Sequence, residues 1–161
     1  MKQKLENAII LRNEGKYKES NELLVNLVNI YPENPLINYH CAWSFDVMGN
    51  ETQAIPYYEK AISHGLRGND LEGAFIGLGS TYRTLGEYEK SNRTFLKGIG
   101  LFPDNQAMKV FYSMTLYNLN EPDKAMEILL KCLAETSDDI NIKSYQKAIN
   151  FYSDKLNKKW K

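Results

Sequence analysis

A turn signal returns along this chain at near-constant spacing. Gly15-Lys16-Tyr17, Gly49-Asn50-Glu51, Gly86-Glu87-Tyr88 and Asn120-Glu121-Pro122 lie 34, 37 and 34 residues apart. A period of that length marks a repeat architecture, in which one supersecondary unit is copied along the chain. Each signal carries Gly, Asn or Pro, the residues that punctuate helices.

Other columns fall on the same frame. Small residues Ala8, Ala42, Gly79 and Ser113 match one another before the turn, and Ser20, Ala54, Ser91 and Ala125 after it. Large residues form two further columns, Leu11, Phe45, Tyr82 and Leu116, then Leu24, Tyr58, Phe95 and Leu129. Antiparallel helices approach closely only where one offers a small side chain, and a large facing residue fills the remaining space. One such pair cannot bury its apolar face alone, so units must stack and share a core.

Apolar spacing and breakers place first helices over 2–13, 35–48, 70–85 and 105–119, and second helices over 17–31, 51–64, 88–102 and 122–136. Pro32 and Pro103 close the first and third units. A ninth helix is expected over 139–156, through Ile142, Tyr145, Ile149 and Tyr152, as a cap on the stack. The three extra residues of the longer spacing fall in the Gly-rich connection 64–70, where insertion costs little. Pro56 is tolerable near a helix start if Thr52 is the cap. No strand-like alternation competes.

These columns resemble the tetratricopeptide repeat. The likeness covers residues 1 to about 139 and is most faithful at Phe75, Leu78-Gly79, Tyr82, Gly86, Tyr88, Phe95 and Pro103. The run from Leu71 to Arg83 and the segment from Ala125 to Leu130 also resemble the small bacterial proteins grouped as the fifth tetratricopeptide family. The resemblance implies an all-α, right-handed α-α superhelix of four helix-turn-helix units with a C-terminal capping helix. As one domain over 1–161, the units span about 1–34, 35–68, 72–105 and 106–139. The cap then runs over about 139–156 and a basic tail over 157–161. The implied role is a non-catalytic scaffold that binds a protein or peptide.

Composition agrees with such a role. Twenty basic residues balance twenty acidic ones, so nothing draws the chain towards nucleic acid in general. No run of eighteen apolar residues exists to span a membrane. The N-terminal Met1-Lys2-Gln3-Lys4-Leu5-Glu6 lacks the apolar stretch of a secretion signal, so a cytoplasmic location is expected, and the matches at Asn50 and Asn92 to the glycosylation pattern are read as chance. Cys41 and Cys132 sit in apolar helical patterns and are read as free buried thiols.

Residues for chemistry are sparse. His40 and His64 fall in different helices, and His40 and Cys41 point about 100° apart on one helix, so they cannot share a metal. No H-x-x-x-H or C-x-x-C spacing exists. Gly77-Leu78-Gly79-Ser80-Thr81 lacks the Lys and the preceding strand of a phosphate loop. Gly73, Gly77 and Gly79 instead suit close helix approach, since each costs a helix about 1 kcal/mol against Ala. Asp138-Asp139 suits a helix N-terminus. No enzyme activity, metal or cofactor is expected.

Repeat proteins of this kind line a concave groove with their first helices. The columns there are Tyr39, Ile76 and Val110; Trp43, Ser80 and Met114; Asp46, Arg83 and Tyr117; and His40, Gly77 and Phe111. From unit one they add Leu5, Ile9, Arg12 and Glu6. Tyr, Trp and Arg most often carry interface energy. Gly77 and Ser80 are expected to leave a notch beside Trp43. The chaperone-tail-binding relatives grip a carboxylate with Lys and Asn, but Leu5, Ile9 and Tyr39 hold the matching columns here. The expected ligand is therefore a segment with apolar anchors and some charge for Arg83, Arg12 or Asp46. Alternatively, Tyr39, Trp43 and Phe111 complete the core, or the chain associates with a second copy through apolar surface. The tail from Lys155 to Lys161 suits either solvent or an anionic surface, and Trp160 can fold back onto the cap.

Overall fold

The computed structural model describes all 161 residues, and every regular element is a helix. Four antiparallel pairs follow in order. They are α1 (Lys2–Asn13) with α2 (Tyr17–Ile30), α3 (Pro35–Asp46) with α4 (Glu51–Ser63), α5 (Gly68–Thr84) with α6 (Tyr88–Leu101), and α7 (Gln106–Asn118) with α8 (Pro122–Thr136). Two short helices follow, α9 (Ile140–Ser144) and α10 (Gln146–Tyr152). Each pair packs on the next in a superhelical stack.

One backbone device builds every pair. Gly15, Gly49 and Gly86 adopt φ of 78°, 72° and 78°, and Asn120, at the same place in unit four, adopts 58°. The left-handed residue turns the next N–H back to the last turn of the first helix: Lys16 to Leu11, Asn50 to Phe45, Glu87 to Tyr82 and Glu121 to Leu116, at 2.8–3.0 Å. This closes the helix and reverses the chain. First helices of units two and four start on an Asn cap, Asn34 accepting from the Ile37 N–H and Asn105 from the Met108 N–H.

The small columns meet as their spacing implies. Ala8, Ala42, Gly79 and Ser113 are buried, as are Ser20, Ala54, Ser91 and Ala125. Where the second column holds Ser, its hydroxyl bonds the facing backbone, Ser20 to the Ala8 carbonyl and Ser91 to the Gly79 carbonyl, both at 2.7 Å. Gly73, Gly77 and Gly79 are packing residues. A Cβ at Gly79 would sit 2.6 Å from the Phe95 ring, one at Gly73 would strike Tyr39, and one at Gly77 would strike Tyr58. Gly98 behaves likewise, a Cβ there meeting Met108 Sδ at 2.6 Å.

Three expectations are corrected. Pro56 is not near a helix start set by Thr52: α4 begins at Glu51 after Asn50, so Pro56 lies inside it. Both Thr52 and Pro56 face solvent, where water can take the Thr52 carbonyl that the proline leaves without its N–H. The insertion does more than lengthen a loop. Gly65 and Gly68 are left-handed, and α5 starts at Gly68, which makes it the longest helix at 17 residues. The cap is not one helix over 139–156. It breaks at Tyr145 (φ −103°, ψ 7°) and its helical part ends at Tyr152.

Cys41 and Cys132 are both free and buried. Trp160 does fold back, with its ring 5.9 Å from Phe151 and 6.2 Å from Tyr152. No helix is long and apolar enough to cross a membrane.

Candidate functional site

The expected groove residues come from α3, α5 and α7, and the structure sorts them by what covers them. Tyr39 and His40 are buried wall rather than free surface. Tyr39 lies against the bare backbone of Gly73. His40 Nδ1 faces an Arg12 guanidinium nitrogen at 3.4 Å, and its ring stacks on Trp43 with centroids 6.3 Å apart. Burial, and then the Arg12 charge, hold the His40 imidazole down to about 4.

Trp43 is exposed and forms the lip of the site, its inner face stacked on Arg12 with the guanidinium carbon 3.7 Å from the ring centroid. Arg12 is itself buried, so this arginine holds Trp43 in place and is not a free charge for a ligand. Asp46 is likewise committed. It accepts the Tyr58 hydroxyl at 2.5 Å and the Thr81 hydroxyl at 3.0 Å. Burial raises its carboxyl above the ordinary range, against the pull of those two bonds. Of the three charges expected to meet a ligand, two are thus spent inside the protein.

A recess of about 420 Å³ opens between α3 and α5. Trp43 and Val47 stand on one side and Ile76 on the other, with Gly77 and the Tyr58 ring between them. The notch beside Trp43 therefore exists, but not as drawn from sequence. Tyr58 reaches from the second helix across Gly77 and floors it, and Ser80 does not line it. The Ser80 hydroxyl is buried without a hydrogen-bond partner. Val47, Tyr58 and Gly73 were not among the expected site residues. Their signal was the i, i+4 pair Gly73 and Gly77, which two tyrosines fill.

The remaining residues belong elsewhere. Arg83, Met114 and Tyr117 line a second recess of about 520 Å³ at the C-terminal end, shared with Met126 and Leu129 of α8. Arg83 reaches Asn118 at 3.5 Å, while its Nε is buried without a partner. Val110 is half-buried and Phe111 exposed on α7, and neither lines either of these two recesses. No group of three or more His, Cys, Asp or Glu side chains is placed to hold a metal ion.

A family model described as Tetratrico peptide repeat matches residues 35–156. Among curated proteins, Superkiller protein 3 of Saccharomyces cerevisiae (strain ATCC 204508 / S288c) is 28% identical over 104 residues, which is 60% of this chain and 7% of that protein. Among solved structures, Cut9 with Hcn1 from an APC/C hetero-tetramer superposes with a TM-score of 0.74 at 17% identity, over 91% of this chain and 29% of that one. MamA gives 0.72 at 17%, over 91% and 75%. YrrB, a TPR protein with an unusual peptide-binding site, gives 0.72 at 15%, over 97% and 86%. At these identities the structural likeness establishes the fold. The chain thus spans less than a third of the first of these structures and a small part of the yeast relative.

Proposed function

This chain belongs to the tetratricopeptide repeat family, and on that premise we propose that it is a non-catalytic scaffold that binds a peptide segment of a partner protein. The face used is the concave side formed by the first helices. One observation carries the reading: the recess between Trp43 and Ile76, whose walls are apolar and rigidly backed. Trp43 is braced by Arg12 and Tyr58 is tied to Asp46, so the walls are pre-organised and little ordering is needed when a side chain enters.

The recess suits one aliphatic or aromatic side chain of an extended or helical segment. With Arg12 and Asp46 both engaged, apolar contact supplies the anchoring and charge plays a lesser part. A cytoplasmic setting fits the two free, buried cysteines, the Cys41 thiol being pushed up to about 12 by burial.

Selection of displayed random peptides on the immobilised chain tests the proposal. The expected result is an enriched motif with one large apolar anchor, whose binding weakens at least about tenfold in Ile76→Glu while the helical circular dichroism is unchanged. Enriched peptides that bind Ile76→Glu and Val47→Arg as tightly as the parent chain would overturn it.

A further inference from the structure

Away from the groove, every second helix sets three residues in line, at i, i+3 and i+7 of one face. On the repeat frame these are Lys124, Glu127 and Lys131 in α8, and Lys90, Arg93 and Lys97 in α6. The same places in α2 hold two acids and no cation, and in α4 a single cation. Unit three is thus the one whose stripe is wholly basic.

The two basic helices differ in what their charges meet. In α8, Lys131 bonds Glu127 at 2.5 Å and Lys124 pairs with Glu121. In α6, Lys90 pairs with Glu87 at 3.3 Å, but Arg93 and Lys97 have no ion-pair partner. Like charges four residues apart destabilise a helix by about as much as a Glu–Lys pair at that spacing stabilises it. The fold therefore gains nothing from Arg93 where unit four has Glu127.

Both cations stand over a cavity. With Thr94 they form one wall of a recess of about 660 Å³, larger than the one beside Trp43. Its floor is Phe75, Leu78 and Tyr82 of α5, and Ile62 of α4 faces the cations from the other wall. Glu59 is the one acid in the lining, and it already accepts the Tyr82 hydroxyl at 2.5 Å. Lys90 extends the basic wall, lying 5.6 Å from the centre of the Tyr82 ring.

We propose that this recess is a second docking site, for an acidic segment of a partner protein. Arg93 and Lys97 take two carboxylates of the segment, and an adjacent apolar side chain rests on the floor between α4 and α6. Charge-assisted hydrogen bonds to carboxylates are the strong ones, and a bound acid also relieves the repulsion between the two cations. The attraction is local, because the chain as a whole has no net charge. A stripe of three cations suits a short acidic segment better than a nucleic acid, whose binding grows with the number of phosphates neutralised.

Selection of displayed random peptides on the full-length Ile76→Glu chain, in which the groove beside Trp43 is blocked, tests this site alone. The expected motif has two or more Asp or Glu beside one large apolar residue. Binding of the enriched peptides is expected to weaken at least about tenfold in Arg93→Glu and, separately, in Lys97→Glu. Both side chains are exposed, so both variants keep the fold. Glu59→Gln, which retains an acceptor for Tyr82, is expected to bind as tightly as the parent or more so. Arg93→Glu recreates the charge pair of unit four, so its melting temperature is expected to equal or exceed the parent's. Enrichment without acidic residues, or equal binding by both glutamate variants, overturns the proposal. So does displacement of the peptide by random single-stranded DNA at equal charge concentration, which would make the stripe a site for any polyanion. An Arg93→Glu chain that melts lower gives the arginine a structural role and equally overturns it.

Discussion

At the scale of single residues, the left-handed position after each first helix offers a direct comparison. Gly15, Gly49, Gly86 and Asn120 do the same work, but only Asn120 carries a Cβ into positive φ. An L-residue there costs about 1–2 kcal/mol, less for Asn. Gly86→Ala is accordingly expected to lower unfolding free energy by about 1–2 kcal/mol in urea melts, while Asn120→Gly raises it by a few tenths to about 1 kcal/mol. No contact need change, since nothing lies within 4 Å of a Cβ built at Gly86. These positions were legible in the sequence because backbone geometry dictates the residue type. The brace of Arg12 beneath Trp43 was not, because a one-dimensional column cannot tell a solvent-facing arginine from one covered by the next unit's tryptophan.

His40 supplies a residue-scale prediction in pH. Its folded value, about 4, lies below the ordinary 6.5, so between those limits the unfolded chain takes up a proton that the folded one refuses. Its share of stability is full above pH 6.5 and is lost as pH falls towards 4. The two and a half units between these values correspond to about 3 kcal/mol at most. Asp46 acts in the opposite sense, since its raised carboxyl favours the folded state as the solution becomes acid. The difference between parent and His40→Gln isolates the histidine. Urea melts across this range are expected to show a shallower acid loss in the variant, and equal slopes would contradict the assignment.

At the scale of elements, the helices were legible because stacking forces small and large residues into fixed columns, and the eight paired helices lie close to where apolar spacing puts them. The departures each have a local cause. Pro56 is carried inside α4 because its side of the helix faces water. Its replacement by Ala restores the missing N–H and is expected to stabilise the chain by about 2 kcal/mol in thermal melts, part of the gain being offset by a freer unfolded chain. The apolar stripe of the cap runs unbroken through Tyr145, so its spacing implies one helix. In the fold, Tyr145 leaves the helical region and the segment bends onto α8, a choice between two faces that the spacing of one helix does not encode.

At the scale of the whole molecule, residues expected to form one groove divide between two recesses. Tyr39, Trp43, Asp46 and Ile76 meet between α3 and α5, while Arg83, Met114 and Tyr117 turn to the C-terminal end. Sequence columns set which helix a side chain belongs to, but not how far a neighbour such as Tyr58 reaches across a glycine. Trp43, at the lip of the groove between α3 and α5, is a built-in reporter of what enters it. In a Trp160→Phe chain it is the sole tryptophan. Titration with a peptide enriched on the parent chain should give a saturable blue shift of Trp43 emission, with a midpoint equal to the calorimetric dissociation constant. Full calorimetric binding with no change in Trp43 emission would place the ligand outside this groove.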